Sequence, residues 1–334
     1  MSKQDEGKRI TVCVTAAGGY VGSSMVRNLL DRGYTVHATV RDLENPAKTS
    51  HLLSLPGAKE RLHLFKADIY EQGSFDSAIQ GCDFLINLAT GMDPQRGFVD
   101  PVIEGTLDIL RACKKSKSVK RVVHISSIGA AYPLNEEGQH KELLDESCWT
   151  PLDYITRKSS DMGMYCVSKT LAEQAALRYG EEEGIEVVTL LVAMVGGFSL
   201  APGFPSSLSI ILAPVTGNRA CYETLVSSQF LMGSMLLVHV EDVCNAHIFL
   251  MEHPSAAGRY VCCSDSVTMA DIADFFRRRY PETPLVFGDK EEDRLEKLVP
   301  FSSKKLTDLG FSYKYGMEEI YSDSFECAKQ MKVL

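Results

Sequence analysis

Residues 10–22 read Ile-Thr-Val-Cys-Val-Thr-Ala-Ala-Gly-Gly-Tyr-Val-Gly. The first six are mostly apolar or β-branched, as in a buried strand, and the glycines then interrupt the run before a stretch with helical spacing, Tyr20–Arg32. A strand, a glycine-rich turn and a helix in that order set backbone amides and a helix N-terminus where a pyrophosphate can bind. Glycine matters there because phosphate oxygens approach closer than a β-carbon permits. The pattern is AxxGxxG, so Ala16 stands where a first glycine is usual. We expect that methyl group to affect affinity before it affects which ligand binds.

Outward from this turn, β-branched runs alternate with helical periodicity as far as about residue 195, the signature of repeated βαβ units and a parallel sheet. The expected strands are Ile10–Thr15, Thr35–Val40, Leu62–Ala67, Phe84–Leu88, Arg121–Ser126 and Glu186–Val192. Helical patterns fill the gaps at Tyr20–Arg32, Gly73–Gln80, Val99–Ser116 and Met162–Glu183. The fold class is therefore α/β, a doubly wound parallel-sheet Rossmann domain over 1–197 with a smaller lobe over 198–334, some of whose segments return to the core. In the second part the pattern loosens into SLAPGFPSSLS (199–209), then resumes as a helix at Cys244–Met251, a strand at Arg259–Cys263 and helices at Met269–Tyr280 and Met317–Lys332. In such a fold, ligands bind outside the carboxyl ends of the strands.

The chain has 334 residues, 45% of them hydrophobic, with a formal net charge of -9. That is enough apolar material for a large core, and the negative balance argues against nucleic acid or an anionic membrane as the main partner. The segment MSKQDEGKRI (1–10) has no apolar stretch of signal-peptide length, and nothing later offers the roughly twenty apolar residues of a membrane helix. A cytoplasmic setting is expected. The ten cysteines lack the paired spacing of a zinc site and read as reduced, buried thiols, so no metal is expected.

Two strand ends carry chemistry. Past the second strand stand Val40-Arg41-Asp42 and then Lys48. Arg41 offers a planar fork, and Lys48 a point charge, to the 2′-phosphate that distinguishes NADP from NAD. Asp42 leaves a second reading open, a carboxylate on the ribose of NAD. Farther along, Tyr165-Cys166-Val167-Ser168-Lys169 places a phenol and an ammonium four residues apart on one helix face, with Ser126-Ser127 closing an earlier strand. A cation fixed beside a phenol lowers its pKa from the ordinary value near ~10, giving an acid usable at neutral pH. His124 and His239 lie in apolar runs and read as core histidines.

These residues match a known family. The chain resembles the plant dihydroflavonol-reductase-like branch of the extended short-chain dehydrogenases, which includes dihydroflavonol 4-reductase, anthocyanidin reductase, vestitone reductase and cinnamoyl-CoA reductase. The likeness covers nearly the whole length and rests on TVRD (39–42), KAD (66–68), Ser126-Ser127, YCVSKTLAEQAA (165–176), TGN (216–218), VHVEDVCNAHIF (238–249), GRYVCC (258–263) and SSKKLTDLGF (302–311). It implies an NADPH/NADP+ enzyme with Ser127, Tyr165 and Lys169 as its catalytic set. Tyr165 would donate a proton as hydride arrives, Ser127 would hold the substrate oxygen, and Lys169 would hold the nicotinamide ribose and depress the tyrosine pKa. The implied cofactor contacts are Ala17, Gly19, Tyr20, Val21 and Gly22 at the turn, Arg41 and Lys48 at the 2′-phosphate and Asp68 and Ile69 at the adenine. Ala89, Thr90, Ser126, Tyr165, Lys169 and Val192 would lie along the remainder. Met92, Ser127, Tyr132, Tyr165 and Phe204 would meet the substrate, and the family implies a monomer or weak homodimer.

Departures from the family bear on the substrate. Dihydroflavonol 4-reductases place an Asn soon after the catalytic serine, where this chain has Tyr132, which can stack on a flat ring but cannot make the amide's paired hydrogen bonds. The family's nicotinamide-side Pro is Val192 here. Segment 219–237, FGD (287–289) and YKYGMEEIY (313–321) lean toward anthocyanidin reductase. The expected activity is reduction of a ring ketone, C4 of a flavanone or dihydroflavonol, in a small phenolic; hydride addition to a flavylium ring is the alternative. A further aldehyde or ketone reductase, a nucleotide-sugar epimerase and a non-catalytic NADP-binding regulator share the fold. Arg41 argues against the epimerase, and intact Tyr165 and Lys169 against the regulator. Met162, Met164, Met194, Phe198 and Phe204 are either pocket walls or ordinary core.

Overall fold

A computed structural model describes residues 9–91, 95–97, 99–157, 161–288 and 298–334. Among the described residues ten strands form two sheets: β1 (Thr11–Val14), β2 (Thr35–Val40), β3 (Leu62–Lys66), β4 (Phe84–Asn87), β5 (Arg121–Ser127), β6 (Glu186–Val192), β7 (Met194–Gly196), β8 (Met235–His239), β9 (Gly258–Cys262) and β10 (Asp265–Val267). The large sheet has seven strands in the order β3-β2-β1-β4-β5-β6-β9, and each pairing is parallel. Chain order reverses between β1 and β4, so the crevice for a ligand opens at their carboxyl ends. The fold is the doubly wound α/β architecture expected, and the six expected strands lie within a residue or two of their expected ends.

Thr15 fixes that reversal point. Its hydroxyl donates to Asn87 Oδ1 at 2.7 Å and accepts from Leu88 N at 2.8 Å and Ala89 N at 2.9 Å. One side chain thus ties the loop after β1 to the loop after β4. The three-stranded sheet β10-β8-β7 packs in a second core cluster with Leu208, Leu225, Phe275, Phe276 and Phe325. The halves interleave in sequence: β9 completes the large sheet from the second half, whereas β7 already belongs to the small one before residue 197.

Several elements differ from the sequence reading. The helix expected over Gly73–Gln80 shrinks to Asp76–Ile79. Met235–His239 is a strand buried at every position, so it shows no alternation from which to read it. The Arg219–Met232 helix also escaped; Asn218 caps it by accepting from Cys221 N at 3.2 Å, and Gly233, at φ 78°, ends it. Among the described residues no helix is long and apolar enough to cross a membrane. All ten cysteines are free, and only Cys221 is not buried.

Two fully buried histidines give the fold a pH signature. Burial pushes His124 down to about 3 and His247 down to about 4. His247 Nδ1 lies 2.8 Å from Val243 O, while its Nε2 has no partner among the described residues. Both folded-state values lie below the unfolded histidine value near ~6.5, so the unfolded chain binds the extra protons. Stability from this source is therefore complete above pH ~6.5 and is lost as pH falls toward the folded values, at about 1.4 kcal/mol per pH unit per histidine. Urea unfolding at pH 7.5 and pH 5 should show that loss, and His247→Leu should flatten it by one histidine's share; an unchanged slope would rule out a neutral buried His247.

Candidate active site

The cofactor end is built on the glycine turn. Gly19 caps the Tyr20–Asp31 helix, its N–H donating to Ala16 O at 3.1 Å, and Ala17 N donates to Thr39 O at 2.9 Å. A β-carbon on Gly22 would fall 2.3 Å from Ala16 O, so only glycine lets the helix start so close to the strand end. Ala16 itself has φ 52°, the left-handed region that glycine enters without strain. The departure noted in the sequence therefore has a conformational cost. Ala17 is buried behind the turn and Val21 packs against the large core. Tyr20 turns the other way, its hydroxyl donating to Gly197 O at 3.0 Å.

From this turn a cleft of about 560 Å³ runs along the ends of β1 to β4. Gly18 and Gly19 line one end, Arg41 and Lys48 the flank, Asp68 and Ile69 the far end, and Ala89 and Thr90 the side nearest β4. A β-carbon on Gly18 would sit 3.0 Å from Lys48 O, so the short Pro46–Leu53 helix closes directly over the turn. The residues fit a dinucleotide phosphate: a cradle that side chains would fill and two cations at its flank.

Next to it lies the acid. β5 ends in Ser126 and Ser127, followed by a tight turn over Ile128–Ala130. Ser127 Oγ accepts from Gly129 N at 3.1 Å, and the Ser127 hydroxyl is hydrogen-bonded to Tyr165. Burial pushes the Tyr165 phenol up to about 12, with that hydrogen bond working in the opposite direction. Lys169 turns its Nζ to Thr90 Oγ1 at 2.8 Å and Ile125 O at 3.3 Å. Burial lowers its ammonium to about 8, against the attraction of Glu173.

The helix spacing thus brings Tyr165, Lys169 and Ser127 together. The expectation that a neighbouring cation lowers the phenol pKa is not met: burial is the largest influence on the phenol and raises it. The phenol is neutral at pH 7, which is the form that can give a proton.

Other expected contacts fall differently. Ser126 Oγ donates to Glu173 Oε2 at 2.7 Å, so its side chain is engaged in the core. Tyr132 is 2% exposed, packed in the core with its hydroxyl accepting from Cys166 Sγ at 3.1 Å, so its ring is not offered for stacking. Val192 is buried at the end of β6, in register with Ser127 and Cys262. Phe204 is part-buried against the second core, and Met92 lies outside the described residues. His124 is buried, with Asn87 Nδ2 3.0 Å from its Nδ1; His239 is buried and stacks on Tyr315 with centroids 4.1 Å apart.

Sequence reasoning missed Thr15, Asn87, Gly129 and Glu173. Each is a small or polar residue inside an apolar segment, a signal visible in the sequence without the partner that explains it. Gly129 is the most telling: a β-carbon there would lie 3.0 Å from Cys166 Sγ, 3.3 Å from Ser127 Oγ and 3.6 Å from Tyr165 Cε1.

Gly129→Ala should therefore cut kcat about ten-fold or more while dissociation constants for NADP+ stay within about two-fold, since it displaces the acid and not the cleft. A stopped-flow and binding pair measures both, and an unchanged kcat would mean that Ser127 and Tyr165 need no such closeness. Ala16→Gly should relieve about 1–2 kcal/mol of left-handed strain against about 0.4–1 kcal/mol of added chain entropy, raising Tm by roughly a degree or two. A lower Tm would contradict the strain.

Comparison with known proteins identifies the chain's relatives. The model of the NAD dependent epimerase/dehydratase family matches residues 12–263. The chain is 44% identical over 335 residues to dihydroflavonol 4-reductase of Dianthus caryophyllus, covering 98% of this chain and 89% of that one. It is 40% identical over 335 residues to anthocyanidin reductase ((2S)-flavan-3-ol-forming) of Vitis vinifera, covering 98% and 97%. Among solved structures, vestitone reductase from alfalfa (Medicago sativa L.) superposes with a TM-score of 0.83 at 35% identity, covering 97% of this chain and 99% of that one. The chain belongs to the NAD dependent epimerase/dehydratase family, within its branch of dihydroflavonol 4-reductases and anthocyanidin reductases.

Proposed function

We propose that the protein is an NADPH-dependent reductase of a flavonoid or related plant phenolic that delivers hydride to a ring ketone, C4 of a flavanone or dihydroflavonol. The observation that carries this reading is the Ser127–Tyr165 pair: a neutral phenol hydrogen-bonded to a hydroxyl whose oxygen is held by Gly129 N. A carbonyl oxygen entering between them meets one group to orient it and one to protonate it. Bound NADPH supplies the hydride. As the carbonyl carbon accepts it, Tyr165 Oη gives its proton to the oxygen and Ser127 Oγ holds that oxygen in place. Lys169 would hold the ribose hydroxyls of the cofactor, and its ammonium, anchored on Thr90, would keep positive charge near the phenolate that forms.

Arg41 and Lys48 line the flank of the cleft, where they would take a 2′-phosphate, which supports NADPH over NADH and argues against an epimerase with resident NAD. The identity to dihydroflavonol 4-reductase and the likeness to vestitone reductase support a flavonoid-type ketone. We further assign the substrate side of the site mainly to residues 198–334, and a cytoplasmic monomer or weak homodimer as the working form. Net charge -9 and ten free thiols support that setting and a small phenolic, not nucleic acid or membrane, as partner.

A second reading has its own support. The Vitis relative is an anthocyanidin reductase of nearly the same length, and a flavylium carbon takes hydride without needing an oxygen clamp. NADPH consumption with product masses, against naringenin, dihydroquercetin, cyanidin and coniferaldehyde, separates the two. A 4-hydroxy product from a flavanone or dihydroflavonol is expected; turnover of cyanidin alone would favour the second reading. Tyr165→Phe should lower kcat on the ketone by roughly 10²-fold or more and leave NADPH affinity within about three-fold. Unchanged turnover would remove Tyr165 from the mechanism.

A further inference from the structure

The far end of the cleft holds a carboxylate, Asp68, whose side chain is only 12% exposed. It is held from two sides. Its Oδ1 accepts from Tyr70 N at 3.1 Å, and its Oδ2 accepts from Arg96 Nη1 at 2.8 Å. The Arg96 guanidinium carbon also lies 4.2 Å from the centre of the Tyr70 ring. Tyr70 keeps its own place beside Gly91, where a β-carbon would come within 2.5 Å of the tyrosine hydroxyl oxygen. Asp68 and Tyr70 follow β3, whereas Arg96 lies between β4 and the Asp100–Ser116 helix. The contact therefore spans two connections that meet only in the fold.

Two physical consequences follow. A carboxylate fixed at both oxygens keeps its remaining lone pairs in set directions, so it can discriminate between donors. The guanidinium also offsets the negative charge that would oppose a ligand bearing several phosphates. Arginine suits both tasks, since its planar fork pairs with the carboxylate while its face rests on the tyrosine ring. Lysine would supply the charge without the orientation.

We propose that Arg96 is a positioning residue for adenine recognition, holding the Asp68 carboxylate so that it accepts from the exocyclic amine of the cofactor. This rests on reading Asp68 as the adenine contact, and the test separates the two. Dissociation constants are measured by calorimetry for NADP+ and for its hypoxanthine analogue, which bears an oxygen in place of that amine, with the wild type and Arg96→Gln. One directed hydrogen bond worth about 1 kcal/mol predicts a wild-type preference for NADP+ of roughly five-fold, falling to within about two-fold in Arg96→Gln. Thermal unfolding run in parallel should move by no more than a few degrees. A preference that survives Arg96→Gln overturns the proposal, including the case in which both ligands weaken equally and Arg96 acts only by its charge. A wild type with no preference overturns the adenine reading of Asp68 and the proposal with it.

Discussion

Glu173 lies one turn beyond Lys169 and two beyond Tyr165 on the Asp161–Glu183 helix, wholly buried. Its oxygens accept from Ser126 Oγ at 2.7 Å, Thr189 Oγ1 at 2.6 Å and Arg259 Nε at 2.9 Å. Those partners stand on β5, β6 and β9, three neighbouring strands of the large sheet. Arg259 also donates to Cys148 O at 2.6 Å and Glu146 O at 2.8 Å, and its guanidinium carbon lies 3.4 Å from the centre of the Trp149 ring. One ion pair thus joins the helix that carries the acid, the strand end that carries Ser127, and the Glu146–Trp149 segment. Removing one partner of such a pair costs roughly 3–5 kcal/mol because the other charge is left buried and alone.

With the frame set, protonation follows from burial. The phenol and the ammonium both resist their charged forms in this interior, and the phenol is accordingly neutral while the ammonium still carries most of its charge at pH 7. Proton donation then begins from the correct state, and the cation becomes important only as the phenolate forms. Ketone reduction is the reading that uses every part of this arrangement; hydride addition to a flavylium carbon would leave Ser127 with less to do.

Much of this was legible in the sequence. The turn at 16–22 and the Tyr165–Lys169 spacing depend on local periodicity, and local periodicity survives folding; the strands flanking them were readable for the same reason. Arg41 and Lys48 were found because their position after β2 is set by chain order. What escaped depended on partners far apart in the chain. Glu173 reads as an ordinary helix carboxylate until Arg259, 86 residues on, is placed against it. Tyr132 was expected in the pocket because it stands where the resembling reductases place an Asn, whereas its neighbour in space is Cys166. The phenol's pKa was misjudged for a related reason: helix spacing shows that Lys169 is near, and only the fold shows how deeply the phenol is buried.

The central claim is that hydride goes to a ring carbonyl carbon while Tyr165 serves the oxygen. Turnover of dihydroquercetin with NADPH deuterated at the transferable position, followed by NMR of the product, tests this most directly. The account predicts a single deuterium on C4 beside a new hydroxyl. Unreacted dihydroquercetin, together with deuterium entering the flavylium ring of cyanidin, would contradict it.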